Sequence, residues 1–423
     1  MFEKLSYYMD NGFKVVMHRD RAEKIITVGV IVNYGSMNET SEDNGIAHFI
    51  EHILASDNHD GSRMSLNMEK MRESGAIYNA HTDKENTSFY IYGMSDNLRL
   101  YIELLSDIVF RHRYFKDEVF ENEKKVVERE LVSYYSSFNQ ITGRAVQALY
   151  SDAGVGRIIV GKRKNIQDFT KEVVLEKIKK VYVPENTSIV ISGDFEYEEA
   201  KKMIDEYFSD IKDVPVRKSV EPVQLTPSYF FNSQFNGESS ILSLCYRKVT
   251  NENRNKIGNT CELFLKAMLD PILFQRMGYN LRMKEGLSYN MGGFGNFTGQ
   301  FLSLGVTAVF NSSNLFKVYE VMRESLEDMR NQGFTEEELE KAKRNCITNR
   351  IYKHCNAKEQ SLEFLKKANS SYSFSPDNEI REIKNLELYE VNSILNDVLS
   401  PDNLGFACIG NCEFDDLMEK YVM

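Results

Sequence analysis

Residues 45–56 read GIAHFIEHILAS and place two of the chain's seven histidines one helical turn apart. On an α-helix, positions i, i+3 and i+4 share one face, so His48, Glu51 and His52 project together. The residues between them are apolar and predict a buried helix. Because burying two imidazoles and a carboxylate without partners is unfavourable, the stretch predicts a metal site or a helix whose polar face is satisfied by other protein groups.

Two imidazoles at this spacing can bind a single zinc ion. Catalytic zinc takes a third protein ligand, often a carboxylate, and leaves its fourth position to water. Glu51 lies beside the pair, where a carboxylate can act as a general base on that water. The order H-x-x-E-H inverts the common zinc-peptidase motif H-E-x-x-H. The sequence therefore indicates a zinc-dependent hydrolase if a third ligand lies elsewhere in the chain.

A candidate third ligand lies in the stretch FENEKKVVERELVSYY, residues 120–135. Glu123 and Glu130 are seven residues apart, so they share one face of a predicted helix, two turns apart. Taken alone, such a helix is typical of a solvated charged face. Beside a histidine pair that needs a carboxylate, it becomes a candidate source of the missing ligand.

The chain has 423 residues, of which 42% are hydrophobic, and a formal net charge of −11. This length favours two globular domains. The sequence has no long Lys/Arg run that could bind along a phosphate backbone, so we expect no nucleic-acid partner. Since the N-terminus lacks a signal-peptide core and no segment reaches about 18 consecutive apolar residues, we expect a soluble, cytoplasmic protein with no membrane partner.

Three of the seven prolines, Pro215, Pro222 and Pro227, lie close together in a stretch without helical or strand periodicity. Proline lacks a backbone donor and resists both regular structures, so this stretch predicts a linker. The predicted division is an N-terminal domain with the candidate metal site, the linker and a C-terminal domain, at residues 1–212, 213–233 and 234–423.

The two halves repeat a coarse order of strands and helices. Runs rich in β-branched residues, such as KIITVGVIVNYG and SILSLCYRK, predict strands near the start of each half. The helix of the histidine pair follows, with Asn44 or Asp43 available as its N-cap. In the second half, Thr335 and Glu338 have the spacing of a capping box. Similar strands, TSIVISG and LGFACIGN, end the two halves, so we expect an α+β fold of two related α/β sandwich domains.

Several stretches resemble those of the M16 metallopeptidases, in the same order along the chain. They are NGFKVV, GSMNE, NGIAHFIEHIL, SGAIYNAHTDKENTSFY, ENEKKVVERELVSY, VYVPENTSIVISGDF and RMKEGLSY. They extend over nearly the whole chain and are similar to the short, two-domain members of the family. The resemblance implies two homologous domains, each with an antiparallel-rich sheet packed by helices, in a clamshell dimer.

The resemblance also implies the ligands of the metal. His48 and His52 bind one Zn²⁺ per chain, and Glu130 is the third ligand. Glu51 is then the general base. The gap from His52 to Glu130 is slightly longer than is usual in the family, which leaves Glu128 open as the third ligand.

Further residues are implied around this set. Glu123 supports the metal site without binding the metal. Arg282 and Tyr289, in RMKEGLSY, bind substrate and donate hydrogen bonds to a carbonyl oxygen as it gains negative charge. Asn79 and Ala80 lie on a strand whose exposed edge pairs with an extended peptide.

Two features fall outside this pattern. His81 follows the predicted substrate strand, but we expect it not to be a ligand because the zinc set is already complete. The stretch KAMLDPILFQRM, residues 266–277, lacks the glycine-rich run found in many relatives before the Arg/Tyr segment. Substrate handling by such a loop is therefore not implied.

The expected function is that of a zinc-dependent endopeptidase acting on unfolded peptides or small proteins inside a chamber closed by two subunits. The partner is a second copy of the chain or another M16-like chain. Two alternatives remain: a catalytic subunit of an obligate heterodimer that processes a specific precursor peptide, and a non-catalytic scaffold subunit of the same fold.

Overall fold

The computed structural model describes residues 3–21, 24–56, 63–111, 115–216, 220–225, 229–232, 235, 237–270, 275–368 and 376–411. The chain forms two compact units. The first unit comprises residues 1–131, 159–221 and 351–376, and the second comprises residues 132–158, 222–350 and 377–423. Each unit contains one mixed β-sheet packed by helices. The predicted α+β fold is confirmed.

The strands are numbered in chain order. They are β1 (Glu3–Tyr8), β2 (Lys14–Arg19), β3 (Ile25–Val32), β4 (Ile77–Thr82), β5 (Thr87–Met94), β6 (Thr187–Gly193), β7 (Tyr229–Asn232), β8 (Ser239–Val249), β9 (Asn290–Thr298), β10 (Phe301–Asn311) and β11 (Leu404–Ile409).

The α-helices are numbered in the same way. They are α1 (Ile46–Ala55), α2 (Arg63–Glu73), α3 (Leu98–Ser106), α4 (Asp117–Tyr135), α5 (Ile141–Tyr150), α6 (Arg163–Asp168), α7 (Lys171–Val181), α8 (Tyr197–Phe208), α9 (Arg254–Leu269), α10 (Arg276–Gly278), α11 (Leu315–Gln332), α12 (Glu336–His354), α13 (Ala357–Lys367), α14 (Pro376–Lys384) and α15 (Leu388–Val398). Within the described ranges, none of the helices is both long and apolar enough to span a bilayer.

The two sheets share one topology. The first has the order β1-β2-β6-β3-β5-β4, and the second has the order β7-β11-β8-β10-β9. In both, one pair is parallel, β2 with β6 and β7 with β11, and the remaining neighbours are antiparallel. Apart from the additional strand β1, the second sheet therefore repeats the first, which agrees with two domains of related design.

The division of the chain differs from the predicted one in two ways. Residues 229–232, inside the predicted linker 213–233, form β7 and pair with β11. Residues 217–219, 226–228 and 233 of that linker lie outside the described residues. In addition, each unit takes one segment from the other half of the sequence, because α13 packs on β3 and β6 while α5 packs on β8 and β11.

The packing of α13 explains one glycine in the first sheet. Phe364, Leu365 and Ala368 pack against apolar side chains of β2, β3 and β6. A Cβ atom at Gly29 would lie 2.1 Å from a methyl carbon of Leu365. A glycine in β3 therefore lets this helix approach the sheet closely.

Candidate metal centre

Helix α1 has one apolar and one polar face. Its six buried side chains are Ile46, Ala47, Phe49, Ile50, Ile53 and Leu54. The helix contacts β4 and β5 of the first sheet. His48, Glu51 and His52 occupy the remaining face, and the two imidazoles are 13% and 18% exposed. The apolar residues thus fix the helix while three polar side chains stay together on its other side.

Three of the predicted ligands come together. One donor atom from each of His48, His52 and Glu130 lies within 4.8 Å of the others. A Glu130 oxygen is 3.2 Å from His52 Nε2 and 3.6 Å from His48 Nε2. Ligands held tetrahedrally on zinc at its usual bond lengths are about 3.3 Å apart. The three donors therefore have the chemistry and the spacing of a zinc site.

Helix α4 presents the acidic residues. Phe120, Val127 and Leu131 are buried along it, which turns Glu123 and Glu130 toward α1. Glu128, the alternative left open by the sequence, does not belong to the three-donor cluster. The geometry therefore favours Glu130 over Glu128.

Glu123 orients one of the two histidines. Its carboxylate lies 3.3 Å from His52 Nδ1, while His52 Nε2 faces Glu130. A hydrogen bond at Nδ1 fixes the ring and leaves Nε2 as the metal-binding nitrogen. Burial lowers the pKa of His52, but the Glu123 hydrogen bond and the neighbouring carboxylates outweigh it, so the pKa is raised.

His48 has a different environment. Its Nδ1 is buried and has no hydrogen-bond partner among the described residues. Burial, with smaller contributions from His52 and His81, lowers the pKa of His48 to about 3. The imidazole is thus neutral at physiological pH, which is the form that binds a metal.

Glu51 lies beside the three donors and is not one of them. Thr82, at the end of β4, donates a hydrogen bond to Glu51 Oε2. Burial raises the pKa of the Glu51 carboxyl, against the effect of that hydrogen bond and of the nearby histidines. A carboxyl with a raised pKa next to a metal site is suited to accept and return a proton. Thr82 carries no sequence signal beyond its place on the same strand face as Tyr78 and Ala80.

The N-terminus of α1 differs from the expectation. Gly45, with φ +105°, is the N-cap and has no side chain to cap the helix. The Asp43 side chain instead accepts from Thr40 and pairs with Lys177. The carboxylate of Glu39 accepts hydrogen bonds from the N-terminus of the helix. No local capping pattern predicts this residue, because it lies seven residues before α1.

The predicted substrate residues Asn79 and Ala80 lie on β4, which is the edge strand of the first sheet. The Asn79 side chain accepts from the Ala80 backbone N–H and donates to the Tyr90 hydroxyl. His81, on the same strand, is exposed and is not a member of the three-donor cluster. The edge has the extended backbone needed for pairing with a peptide.

Arg282 and Tyr289 lie in the second unit. Arg282 is in a π-helical segment, residues 279–284, that follows α10, and Tyr289 directly precedes β9. Both side chains are exposed, Tyr289 to 84%. Neither is committed to a core, so both are accessible to a ligand. Residues 271–274 of the glycine-poor stretch lie outside the described residues.

Two protein-family models match successive parts of the chain. Residues 14–163 match the family model described as insulinase (peptidase family M16), and residues 168–346 match the one described as the peptidase M16 inactive domain. An uncharacterized zinc protease of Rickettsia felis is 23% identical over 397 residues, which cover 93% of this chain and 94% of that protein.

Two further similarities extend this picture. The mitochondrial-processing peptidase subunit beta of Neurospora crassa is 28% identical over 204 residues, so the match spans 48% of this chain and less than half, 42%, of that protein. A protease from Helicobacter pylori with a solved structure has a TM-score of 0.82 at 16% identity, covering 97% of this chain and 100% of that one. At this identity, the structural similarity concerns the fold.

Proposed function

The chain belongs to the M16 peptidase family, and on this premise we propose that it is a zinc-dependent endopeptidase. The observation that carries the proposal is the convergence of His48, His52 and Glu130 on one point, with Glu51 beside them. A fold-level relationship alone would not carry it, since function depends on the site.

The donor set fits zinc. His48 and His52 would each offer Nε2, and Glu130 would offer one carboxylate oxygen. Three protein ligands of this type leave a fourth position open, as in catalytic zinc sites. When bound, zinc supplies a Lewis acid for a peptide carbonyl and lowers the pKa of a coordinated water to about 7.

Glu51 is proposed as the general base. Thr82 occupies its Oε2, which leaves Oε1 to take a proton from the attacking water. The same carboxyl then delivers that proton to the leaving nitrogen of the cleaved peptide bond. The raised pKa of Glu51 supports both steps, because a proton taken up by the carboxyl is held until the amine departs.

The proposed substrate is an unfolded peptide or small protein. Its backbone would pair with the edge of β4 at Asn79 and Ala80. Arg282 and Tyr289 are proposed to donate hydrogen bonds to the carbonyl oxygen as it gains charge. The proposed assembly is a dimer, with a second copy or another M16-like chain, that encloses the substrate.

The test compares the wild-type chain with Glu51→Gln on a quenched peptide. The variant keeps the three metal donors, so we expect its zinc content to be unchanged and its kcat to fall by about 10²–10⁴-fold. Glu121→Gln, at an exposed position of α4, is the matched control and should behave as the wild type. Undiminished cleavage by Glu51→Gln would refute the mechanism.

A second candidate is the catalytic subunit of an obligate heterodimer that processes a precursor peptide. Similarity to a protein named as the beta subunit of a processing peptidase supports it. A non-catalytic scaffold is the third candidate, supported only by the description of the second family model as an inactive domain. The complete donor set in the first unit counts against a scaffold.

Mass and activity of the purified chain separate these candidates. A zinc-containing dimer that cleaves peptide without a partner supports the first. A zinc-containing chain that is inactive alone and active after a second M16-like chain is added supports the second. A chain that binds no zinc and cleaves nothing in either condition supports the scaffold.

A further inference from the structure

We propose that Glu39 is a positioning residue for the metal site, holding the first turn of α1 and through it the imidazole of His48. The inference rests on the proposed zinc site. It concerns a residue outside the three-donor cluster of His48, His52 and Glu130.

Glu39 is buried, with 1% of its surface exposed, and both of its carboxylate oxygens accept hydrogen bonds. Oε1 accepts from the Ala47 backbone N–H at 2.8 Å. Oε2 accepts from the Gly45 backbone N–H at 2.9 Å and from Asn44 Nδ2 at 2.8 Å. Since the N-cap is a glycine without a side chain, Glu39 supplies the acceptor that a capping side chain supplies in other helices.

The two histidines depend on this turn to different degrees. His52 has its own support, because Glu123 holds its Nδ1. His48 Nδ1 is buried with no hydrogen-bond partner among the described residues, so its ring direction follows from the backbone of α1. Ala47, which Glu39 holds, is the residue directly before His48. Loss of this contact should therefore misplace His48 more than His52.

The loop around Glu39 is held by other contacts as well. Asn165 Nδ2 donates to the carbonyl oxygens of Ser41 and Asn44 at 3.0 and 3.1 Å. A Cβ atom at Gly161 would lie 2.4 Å from the Gly45 Cα, so these two glycines pack backbone to backbone. A conservative change at Glu39 should therefore leave the loop in place and act on the first helical turn.

Glu39→Gln is the most informative change. The side chain keeps its length, but the amide nitrogen places a donor where a carboxylate oxygen accepts, opposite a backbone N–H or the Asn44 amide. Burial raises the pKa of Glu39 to about 8, against three donated hydrogen bonds that favour the carboxylate. The comparison is therefore made above this pKa, where the wild type is mainly ionised.

The experiment measures the zinc dissociation constant by chelator competition and the absorption spectrum of the Co²⁺-loaded protein. Glu42→Gln, at an exposed position in the same loop, is the matched control. We expect Glu39→Gln to bind zinc about 10–100-fold more weakly and to change the Co²⁺ spectrum, as supporting residues around metal ligands do. Glu42→Gln should match the wild type in both.

The outcomes are distinguishable. Wild-type zinc affinity and an unchanged Co²⁺ spectrum in Glu39→Gln, even with a lowered melting temperature, would make Glu39 a purely structural residue and overturn the inference. If Glu39→Gln does not fold, Asn44→Ala removes one donor to the same carboxylate and should weaken zinc binding to a smaller extent; no change would equally overturn it. A wild-type chain that binds no zinc would refute the proposed function instead.

Discussion

Apart from the additional strand β1 in the first, the two units contain sheets of the same strand order, but their helices differ in chemistry. Helix α1 follows β3 and carries the histidine pair, whereas α9 follows the corresponding β8 and contains no histidine. Aligning α4 and α12 at their first residues places Ala342 and Asn349 where α4 has Glu123 and Glu130. The same architecture is therefore built with the donor residues in one unit and without them in the other.

The positions that are buried in both α4 and α12 are apolar, whereas the two glutamates occur only in α4. Phe120 and Val127 of α4 correspond to Leu339 and Cys346 of α12, and all four side chains are buried. Apolar burial at these positions is what the fold requires. Since α12 occupies its place without the two glutamates, we infer that Glu123 and Glu130 serve the chemistry of the first unit and contribute little to its folding.

Among residues that support the metal without binding it, the largest expected effect is on zinc affinity when Glu123 of α4 is replaced by alanine, the residue that α12 has at the matching position. Glu123→Ala removes the hydrogen bond to His52 Nδ1 and should weaken zinc binding about 10–100-fold. The free energy of unfolding of the metal-free protein should change little. Chelator competition measures the affinity. Glu128→Ala, on the same helix, is the control, and a greater loss of zinc in this control than in Glu123→Ala would contradict the ligand geometry.

A smaller effect concerns the stability of the metal-free protein against acid. The pKa of His48 is about 3 in the folded chain and about 6.5 when unfolded, so between these values the unfolded state binds more protons. The contribution of His48 to the free energy of unfolding is complete above its unfolded pKa and is lost as the pH falls toward its folded pKa. Near pH 5 this loss is about 2 kcal/mol.

Denaturant unfolding at neutral and acidic pH tests this expectation. In His48→Gln the neutral side chain removes the His48 contribution, so the variant should lose less stability than the wild type on acidification. Parallel losses in the two proteins would show that His48 is not buried in its neutral form.

The sequence predicted those parts of the site that depend on helical periodicity. His48, Glu51 and His52 share a face by their spacing, and so do Glu123 and Glu130. The capping box in the second half is likewise local: Glu338 N–H donates to Thr335 Oγ1, and the Thr335 N–H donates to the Glu338 carboxylate. Such features depend on residues one or two turns apart, which the sequence displays directly.

Contacts between elements that are far apart in the sequence were not predicted. Thr82 reaches Glu51 only because β4 lies beside α1, and Glu39 reaches α1 across a loop. The short strand β7 lies in a proline-containing stretch and is defined by pairing with β11, whose residues come 177 positions later in the chain, as in the pair Tyr229 and Phe406. The placement of α5 and α13 depends on which sheet offers a complementary apolar face, which no local pattern specifies.

The most direct test of the proposed metal site is the number of zinc ions per chain, measured by native mass spectrometry. We expect one zinc ion per wild-type chain and none in Glu130→Asn, which gives α4 the asparagine of α12 while leaving its buried face intact. A wild-type chain without zinc, or a Glu130→Asn variant that keeps one zinc ion at wild-type affinity, would contradict the assignment of His48, His52 and Glu130 as the zinc site.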